Sequence, residues 1–271
     1  MRILVAGGGG YLGGNIIDHF SDRHEFINIS LTNRAKWATN NVLVDLSKPL
    51  DYLEFDQPID AIINCVECHP ARFDNSEKMK KTYLDIMKNL ISYAKSRNIS
   101  RIVHFSINHI NTVENDYQQA KFVAEGLVRN SGLKYVIFKP SIIFGENSPF
   151  DYLLDALVKR SFLFRFWNTE AKFAPVHLLD VFSNIDFLFK SQDSWNDTYT
   201  LLGPEVVGFE ELMSRRSQKQ PFLVDAPNAF ISRAFLGAAK SRHLQLLIDW
   251  MNVDNTAQAN YLVLPKLSYK I

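Results

Sequence analysis

The sequence predicts an α/β fold: a doubly wound parallel sheet of Rossmann type, with a small C-terminal lobe. Three observations predict it. Short apolar segments alternate with helical patterns. Several segments are nearly continuous runs of Ile, Val, Leu and Phe, which is how strands read when both faces of a parallel sheet are covered. The first of them runs directly into a glycine-rich turn.

Composition narrows the function classes. The chain has 271 residues, 46% hydrophobic and 22% charged, the usual mix of a soluble globular protein. Thirty Lys and Arg against 29 Asp and Glu leave a net charge of +1, so nothing pulls the whole chain toward nucleic acid or an anionic membrane. Two cysteines make no disulfide framework and point to a reducing compartment. No apolar run approaches the roughly 18 residues of a membrane span. Met1 and Arg2 lead straight into Ile-Leu-Val-Ala without a signal-peptide pattern, and a cytoplasmic location is expected. The 20 Phe residues read as a Phe-rich core.

The expected strands are residues 3–6, 26–31, 42–44, 61–66, 101–106 and 135–139. The helix after the first should bury Leu12, Ile16 and Phe20. Over residues 76–98 the apolar positions Met79, Tyr83, Ile86, Met87, Leu90, Ile91 and Ala94 recur at spacings of three and four. Over residues 117–130 the stripe is Ala120, Val123, Ala124, Leu127 and Val128, with Gly132 as a stop. Beyond Gly145 the rhythm loosens and Phe, Trp and Pro become frequent. Residues 1–145 are therefore expected to form the sheet domain and 146–271 mainly a lobe on its carboxyl edge, with about 174–202 returning to the sheet. The alternating Phe162-Leu-Phe-Arg-Phe-Trp167 is read as lobe packing or as the wall of an apolar substrate pocket.

Val5-Ala-Gly-Gly-Gly-Gly-Tyr-Leu-Gly13 carries the first chemical signal. Gly7, Gly10 and Gly13 fit G-x-x-G-x-x-G, and Gly8, Gly10 and Gly13 fit G-x-G-x-x-G. Glycine lets the chain turn sharply, lets a pyrophosphate approach the backbone, and lets helix pack on strand. The helix then offers its N–H groups and positive end to phosphate. A dinucleotide is the expected ligand. An NAD site usually places Asp or Glu about 20 residues onward to bind the ribose 2′-hydroxyl. Here the second strand runs into Thr32-Asn-Arg34 with no carboxylate. Arg34 would suit a 2′-phosphate, which favours NADP, with NAD the other choice. Asp45, after the third strand, is a candidate for the adenine rim.

Tyr117-Gln-Gln-Ala-Lys121 places a phenol and an ammonium one helical turn apart, at one edge of the apolar stripe. A tyrosine with its ordinary pKa near 10 exchanges protons poorly at neutral pH. A neighbouring ammonium is expected to lower that pKa and make Tyr117 an acid/base.

On these residues the chain resembles the short-chain dehydrogenase/reductase superfamily, in its extended and atypical branches. The nearest likeness is to the NADPH-holding accessory subunit of respiratory complex I and related nucleoside-diphosphate-sugar epimerase-like proteins. Val5 to Gly13 resembles the family's phosphate turn, Asp60-Ala-Ile-Ile-Asn64 its fourth strand and Arg101-Ile-Val-His-Phe-Ser106 its fifth. Phe138-Lys-Pro-Ser-Ile-Ile-Phe-Gly145 resembles its Arg-Pro-Ser-x-x-Phe-Gly segment, with Lys139 in place of Arg. Pro175-Val-His-Leu-Leu-Asp-Val181, Leu202-Gly-Pro-Glu205 and Leu262-Val-Leu-Pro265 resemble later segments. The resemblance implies a cofactor held by Gly7, Gly10, Tyr11, Leu12 and Gly13, by Arg34, Asp45 and Leu46, by Cys65 and Val66, by Lys121, and by Pro140 and Ile143. It implies Tyr117 as acid/base and Lys121 as its modulator and ribose anchor. The family's hydroxyl donor after strand five falls at Asn108, with Ser106 the other candidate. A second departure is Cys65-Val-Glu-Cys68, where a Gly or Ala is usual.

Cys65-Val-Glu-Cys-His69 also matches the haem c attachment pattern and offers soft metal ligands. Haem attachment requires export, and one C-x-x-C supplies too few ligands for a closed zinc site. It is read as a chance match, and no metal is expected. The remaining histidines show no Ser-His-Asp or metal spacing. The expected function is an NADP-preferring oxidoreductase or epimerase acting on a carbonyl or secondary alcohol of a small molecule, with a nucleotide sugar as one candidate. The alternative is a protein that holds NADPH without turning it over. Oligomeric state is left open.

Overall fold

The computed structural model describes residues 1–31, 35–68, 75–108, 116–165, 172–191, 193–217, 222–225 and 262–263. Its centre is a seven-stranded sheet. The strands are β1 (Arg2–Ala6), β2 (Glu25–Ser30), β3 (Asn40–Leu43), β4 (Ala61–Asn64), β5 (Arg101–Phe105), β6 (Lys134–Pro140) and β11 (Asp197–Leu201). Their spatial order is β11-β6-β5-β4-β1-β2-β3. Strands β1 to β6 pair in parallel. The chain lays β2 and β3 on one side of β1, then returns to place β4 on the other. The order therefore reverses between β1 and β4, and such a reversal is where doubly wound sheets open a ligand crevice.

Both faces of the sheet are covered. Leu4, Ala6, Ile62 and Ile102 join one apolar cluster with residues of helices α2 (Ser76–Ser96) and α3 (Asp116–Arg129). The alternate residues Ile3, Val5, Ile63 and Val103 lie outside that cluster and are equally buried. This is why the strands read as continuous apolar runs. Asn75 caps α2 by accepting from the Lys78 N–H at 2.7 Å. Gly132, at φ +79°, follows α3 and carries the chain toward β6.

The helix stripes differ from expectation in detail. Helix α1 (Tyr11–Phe20) buries Gly13, Ile16, Ile17 and Phe20, while Leu12 is only half-buried. The glycine at 13, not the leucine before it, faces the strand. In α2, Tyr93 joins the core and its hydroxyl donates to the Leu53 carbonyl at 3.3 Å, with Ile91 at the margin. In α3 the buried residues are Gln118, Ala120, Lys121, Ala124, Glu125 and Val128, while Val123 is exposed. The inward face is rotated toward Lys121, because its polar residues find partners inside.

The chain divides into two compact units. The first is Met1–Lys139 with Asn184–Tyr199; the second is Pro140–Ser183 with the described residues from Thr200 onward. In the second, β7 (Ile143–Phe144) pairs in parallel with β10 (Val176–His177), and β8 (Phe162–Arg165) with β13 (Phe222–Asp225). Strand β9 (Lys172–Phe173) runs antiparallel to β12 (Val207–Gly208). Helices α4 (Pro149–Val158) and α6 (Phe209–Arg216) close a small core of Phe144, Phe150, Leu154, Phe173, Phe209 and Leu212. Helix α5 (Leu178–Lys190) runs through the boundary between the units. Among the described residues no helix is long and apolar enough to cross a membrane.

Candidate active site

The glycine turn lies at the switch point. Gly7, at φ +84°, leaves β1 in a conformation that side chains rarely adopt. A Cβ there would also stand 3.1 Å from main-chain atoms of Cys65 and Val66. The segment after β4 therefore passes against the turn after β1, placing Cys65 and Val66 beside Gly7, Gly10 and Gly13. The Gly10 N–H donates to the Gly7 carbonyl at 3.0 Å, and that of Gly14 to Gly10 at 3.0 Å. Gly10 is exposed at the N-cap of α1, which has no side-chain cap and no acidic residue in its first turn. The positive end of α1 is thus uncompensated, and the cradle fits the pyrophosphate of a dinucleotide. Tyr11 and Leu12, both half-buried, open that helix.

One residue past Val66 the same segment reaches the tyrosine and lysine. Lys121 is 1% exposed, deeper than the boundary position expected from the stripe. Its Nζ lies 2.7 Å from Glu67 Oε2, 4.8 Å from the centre of the Tyr83 ring and 5.6 Å from that of Tyr117. A buried ammonium needs a partner, and Glu67 is that partner. Burial is the largest influence and opposes the Lys121 charge, but Glu67 together with the Tyr117 and Tyr83 phenols outweighs it and holds the ammonium well above the ordinary lysine pKa. Tyr117 moves contrary to the sequence expectation. Burial and then the Glu67 carboxylate push its phenol well above 10, and Lys121 only partly offsets them. The phenol of the buried Tyr83, whose hydroxyl has no hydrogen-bond partner, is also raised by burial.

Beneath this cluster lie two buried polar pairs. Ser106, just after β5, donates to Glu125 Oε1 at 2.7 Å. Glu125 also accepts from Arg129 at 2.7 Å, and Lys139 Nζ is 3.8 Å away. The Ser106 hydroxyl proton is thus directed to Glu125 in this structure. Asn108, the other candidate donor to a substrate oxygen, is 5% exposed. Asn64 and His104, paired across β4 and β5, approach at 3.2 Å. Burial, then Lys121 and Arg129, hold His104 well below its ordinary pKa, so it is neutral.

The other expected contacts scatter. Asp45 is exposed, and its carboxylate accepts from Ser47 N and Oγ at 3.0 and 2.7 Å, holding it below its usual pKa. Leu46 turns its side chain into the core. Pro140 and Ile143 fall in the second unit. Arg34 and His69 lie outside the described residues. Cys65 and Cys68 form no disulfide, and burial pushes the Cys65 thiol up, away from the reactive thiolate. Among the described residues no group of three or more His, Cys, Asp or Glu could hold a metal. The second unit has its own cavity of about 410 Å³, lined by Phe144, Glu146, Asp151, Tyr152, His177 and Arg216 among others.

Sequence reasoning missed Glu67, Glu125 and Tyr83. Glu67 stood within a departure already noted, Cys65-Val-Glu-Cys68, but attention went to the cysteines. Glu125 lies four residues beyond Lys121 on the same helical face, and that spacing was the available signal.

The parallel sheet, the glycine turn at its switch point and the Tyr–Lys helix define an enzyme of the short-chain dehydrogenase/reductase type. A sequence model of the NAD dependent epimerase/dehydratase family matches residues 3–161, and the chain belongs to that family. Among solved structures, the UDP-glucose 4-epimerase of Thermotoga maritima with UDP-glucose superposes with a TM-score of 0.67 and 14% identity, over 84% of this chain and 87% of that one. The Bordetella bronchiseptica enzyme WbmH in complex with NAD+ gives 0.65 and 18%, over 84% and 86%. The UDP-glucuronic acid 4-epimerase of Bacillus cereus with NAD gives 0.69 and 12%, over 83% and 87%. At these identities the likeness is one of fold. A comparison with curated protein sequences found no match.

Proposed function

We propose that the protein is an NAD(P)-dependent oxidoreductase or epimerase acting on a carbonyl or secondary alcohol of a small molecule, with a nucleotide sugar as the substrate class. The carrying observation is one continuous path. The glycine turn touches Cys65 and Val66, and the next residue, Glu67, bonds Lys121 beside Tyr117. Gly7, Gly10 and Gly13 would hold the pyrophosphate of a dinucleotide at one end of that path. Lys121 would then anchor the ribose, Tyr117 would exchange a proton with the reacting oxygen, and Asn108 would orient that oxygen. The bound nicotinamide supplies the hydride acceptor or donor. The sugar-nucleotide class is suggested by similar folds solved with UDP-glucose or with NAD.

The test is direct. The purified protein is titrated with NAD and NADP in both redox states and assayed with a panel of UDP-sugars. Submillimolar binding and turnover support the reading; absence of both refutes it. A Gly10→Val variant narrows the site. Gly10 is exposed, its Cβ would meet only the Gly7 carbonyl at 3.3 Å, and its backbone is already extended. Thermal stability should hold, while nucleotide affinity falls at least tenfold, about 1.4 kcal/mol. Unchanged affinity by calorimetry would move the site elsewhere.

NADP preference is part of the proposal and rests on Arg34. The described end of β2 presents Ser30 and Leu31 and no carboxylate. Arg34→Ala should weaken NADPH by roughly 1.5–3 kcal/mol, the worth of a hydrogen bond to a charged group, and leave NADH untouched. Equal losses for both cofactors, or none, remove Arg34 from the role.

A second reading, a nucleotide holder without turnover, is favoured by one observation. The Ser106 hydroxyl and the Lys121 ammonium are both engaged by carboxylates, Glu125 and Glu67. Retained nucleotide without turnover on any carbonyl or UDP-sugar would select it.

A further inference from the structure

We infer that Glu67 is a positioning residue of the Tyr117–Lys121 pair: its carboxylate fixes the Lys121 ammonium and offsets its charge, so that Tyr117 rests as a proton donor. The inference deepens the proposed function and rests on it for its consequence in catalysis. Its geometry stands alone. Lys121 is 1% exposed on its side chain and Glu67 42%, so the ion pair joins a buried ammonium to a carboxylate that reaches solvent. The contact of 2.7 Å takes one of the three ammonium donors and leaves two for other acceptors.

The charge balance decides the direction. A lone ammonium some 5 Å from a phenol, at the effective dielectric of such sites, favours the phenolate by about a hundredfold. A carboxylate bonded to that ammonium opposes the advantage: after burial it is the largest influence holding the phenol up, and Lys121 only partly offsets the two. Every other described titratable group around the pair is accounted for. On α3, Asp116 accepts from Ser76. Tyr83 on α2 and Cys65 after β4 are held protonated by burial. Cys68 is buried, and His104 on β5 is neutral. Near the pair, Glu67 is thus the charge that opposes Lys121.

The consequence is a bias between half-reactions. In carbonyl reduction, hydride adds to the carbonyl carbon while the Tyr117 proton moves to the oxygen. The ketone becomes an alcohol, the nicotinamide is oxidised, and the phenolate left on Tyr117 regains a proton from solvent. Alcohol oxidation requires Tyr117 to lose its proton beforehand. Oxidation should therefore need higher pH than reduction.

The experiment follows tyrosinate ultraviolet absorbance against pH in the full chain. The parent, Glu67→Gln and Glu67→Asp are each compared with their Tyr117→Phe counterpart to isolate one phenol. Glu67→Gln keeps a hydrogen-bonding group and removes the charge. It should bring the Tyr117 step at least one pH unit lower, tenfold in the equilibrium. Glu67→Asp should keep the step where the parent has it, within about half a unit. Glu67→Gln with no earlier step overturns the inference. A double variant, Glu67→Gln with Lys121→Met, removes both charges and is the second arm should the single variant not fold. Its step should return to the parental position, and a step that stays low overturns the inference equally. No nucleotide or substrate enters these titrations. Failure of the parent to bind or turn over NAD(P) would remove the functional reading and leave this result intact.

Discussion

Tyr117→Phe should lower turnover by roughly 10²–10⁴-fold, the usual worth of a positioned acid/base. The variant deletes one oxygen. The ring keeps its place beside Lys121, whose Nζ stays bonded to Glu67, so the fold should be little disturbed. Affinity for NAD(P) should barely change, because the phenol acts on the reacting oxygen and not on the nucleotide. The measurement is a pair: steady-state rate on an accepted carbonyl or UDP-sugar, and calorimetric affinity. A parental rate in the variant would sink the mechanism even for a proven enzyme. The acid would then be sought at Cys68, His69 or His177. Of these, Cys68 is buried, and His177 lies in the second unit against Phe144, its Nδ1 accepting from the Leu179 N–H at 3.2 Å.

Gly13→Ala should cost about 2 kcal/mol or more of stability and abolish nucleotide binding with it. A Cβ at Gly13 would stand 2.6 Å from the Gly7 carbonyl oxygen, 2.9 Å from Gly8 Cα and 3.0 Å from the Gly7 carbonyl carbon. All three are main-chain atoms and cannot rotate away. In a free helix the same change would gain about 1 kcal/mol. Overpacking typically costs 1–3 kcal/mol, and a clash with backbone belongs at the upper end. Relief would require α1 to move off β1, which dismantles the cradle. Chemical denaturation measures the first effect and calorimetry the second. Parental stability in Gly13→Ala would show that the close approach of helix to strand is wrong. The contrast with Gly10→Val is informative, since Gly10 should tolerate a side chain in the fold and fail only with the ligand.

What was legible in the sequence follows from local rules. The inner strands of the sheet are short apolar runs because both faces are covered, and β1 to β6 were each expected within two residues of where they lie, whereas β11 was foreseen only as part of a segment returning to the sheet. The α1 turn was legible because only glycine can turn and pack so closely at Gly7 and Gly13. Tyr117 and Lys121 share a face because a helix turns once in 3.6 residues. In α3 the same periodicity named Val123 as inward and left Lys121 at the edge. The reverse holds, because Glu67 and Glu125 supply partners that make burying charge and polarity tolerable.

The sequence by itself determined the strands β1 to β6, the glycine turn after β1 and the spacing of Tyr117 and Lys121, because each depends on residues near one another in the chain. The tertiary structure decided the chemistry around that pair. Lys121 meets Glu67 across 54 residues and Ser106 meets Glu125 across 19. The approach of Cys65 and Val66 to Gly7 depends on β4 returning to the far side of β1. Periodicity tells which face of an element is buried. It does not tell which charge waits there, and at the Tyr117 phenol burial, followed by the carboxylate of Glu67, reverses the direction the Lys121 ammonium alone would impose.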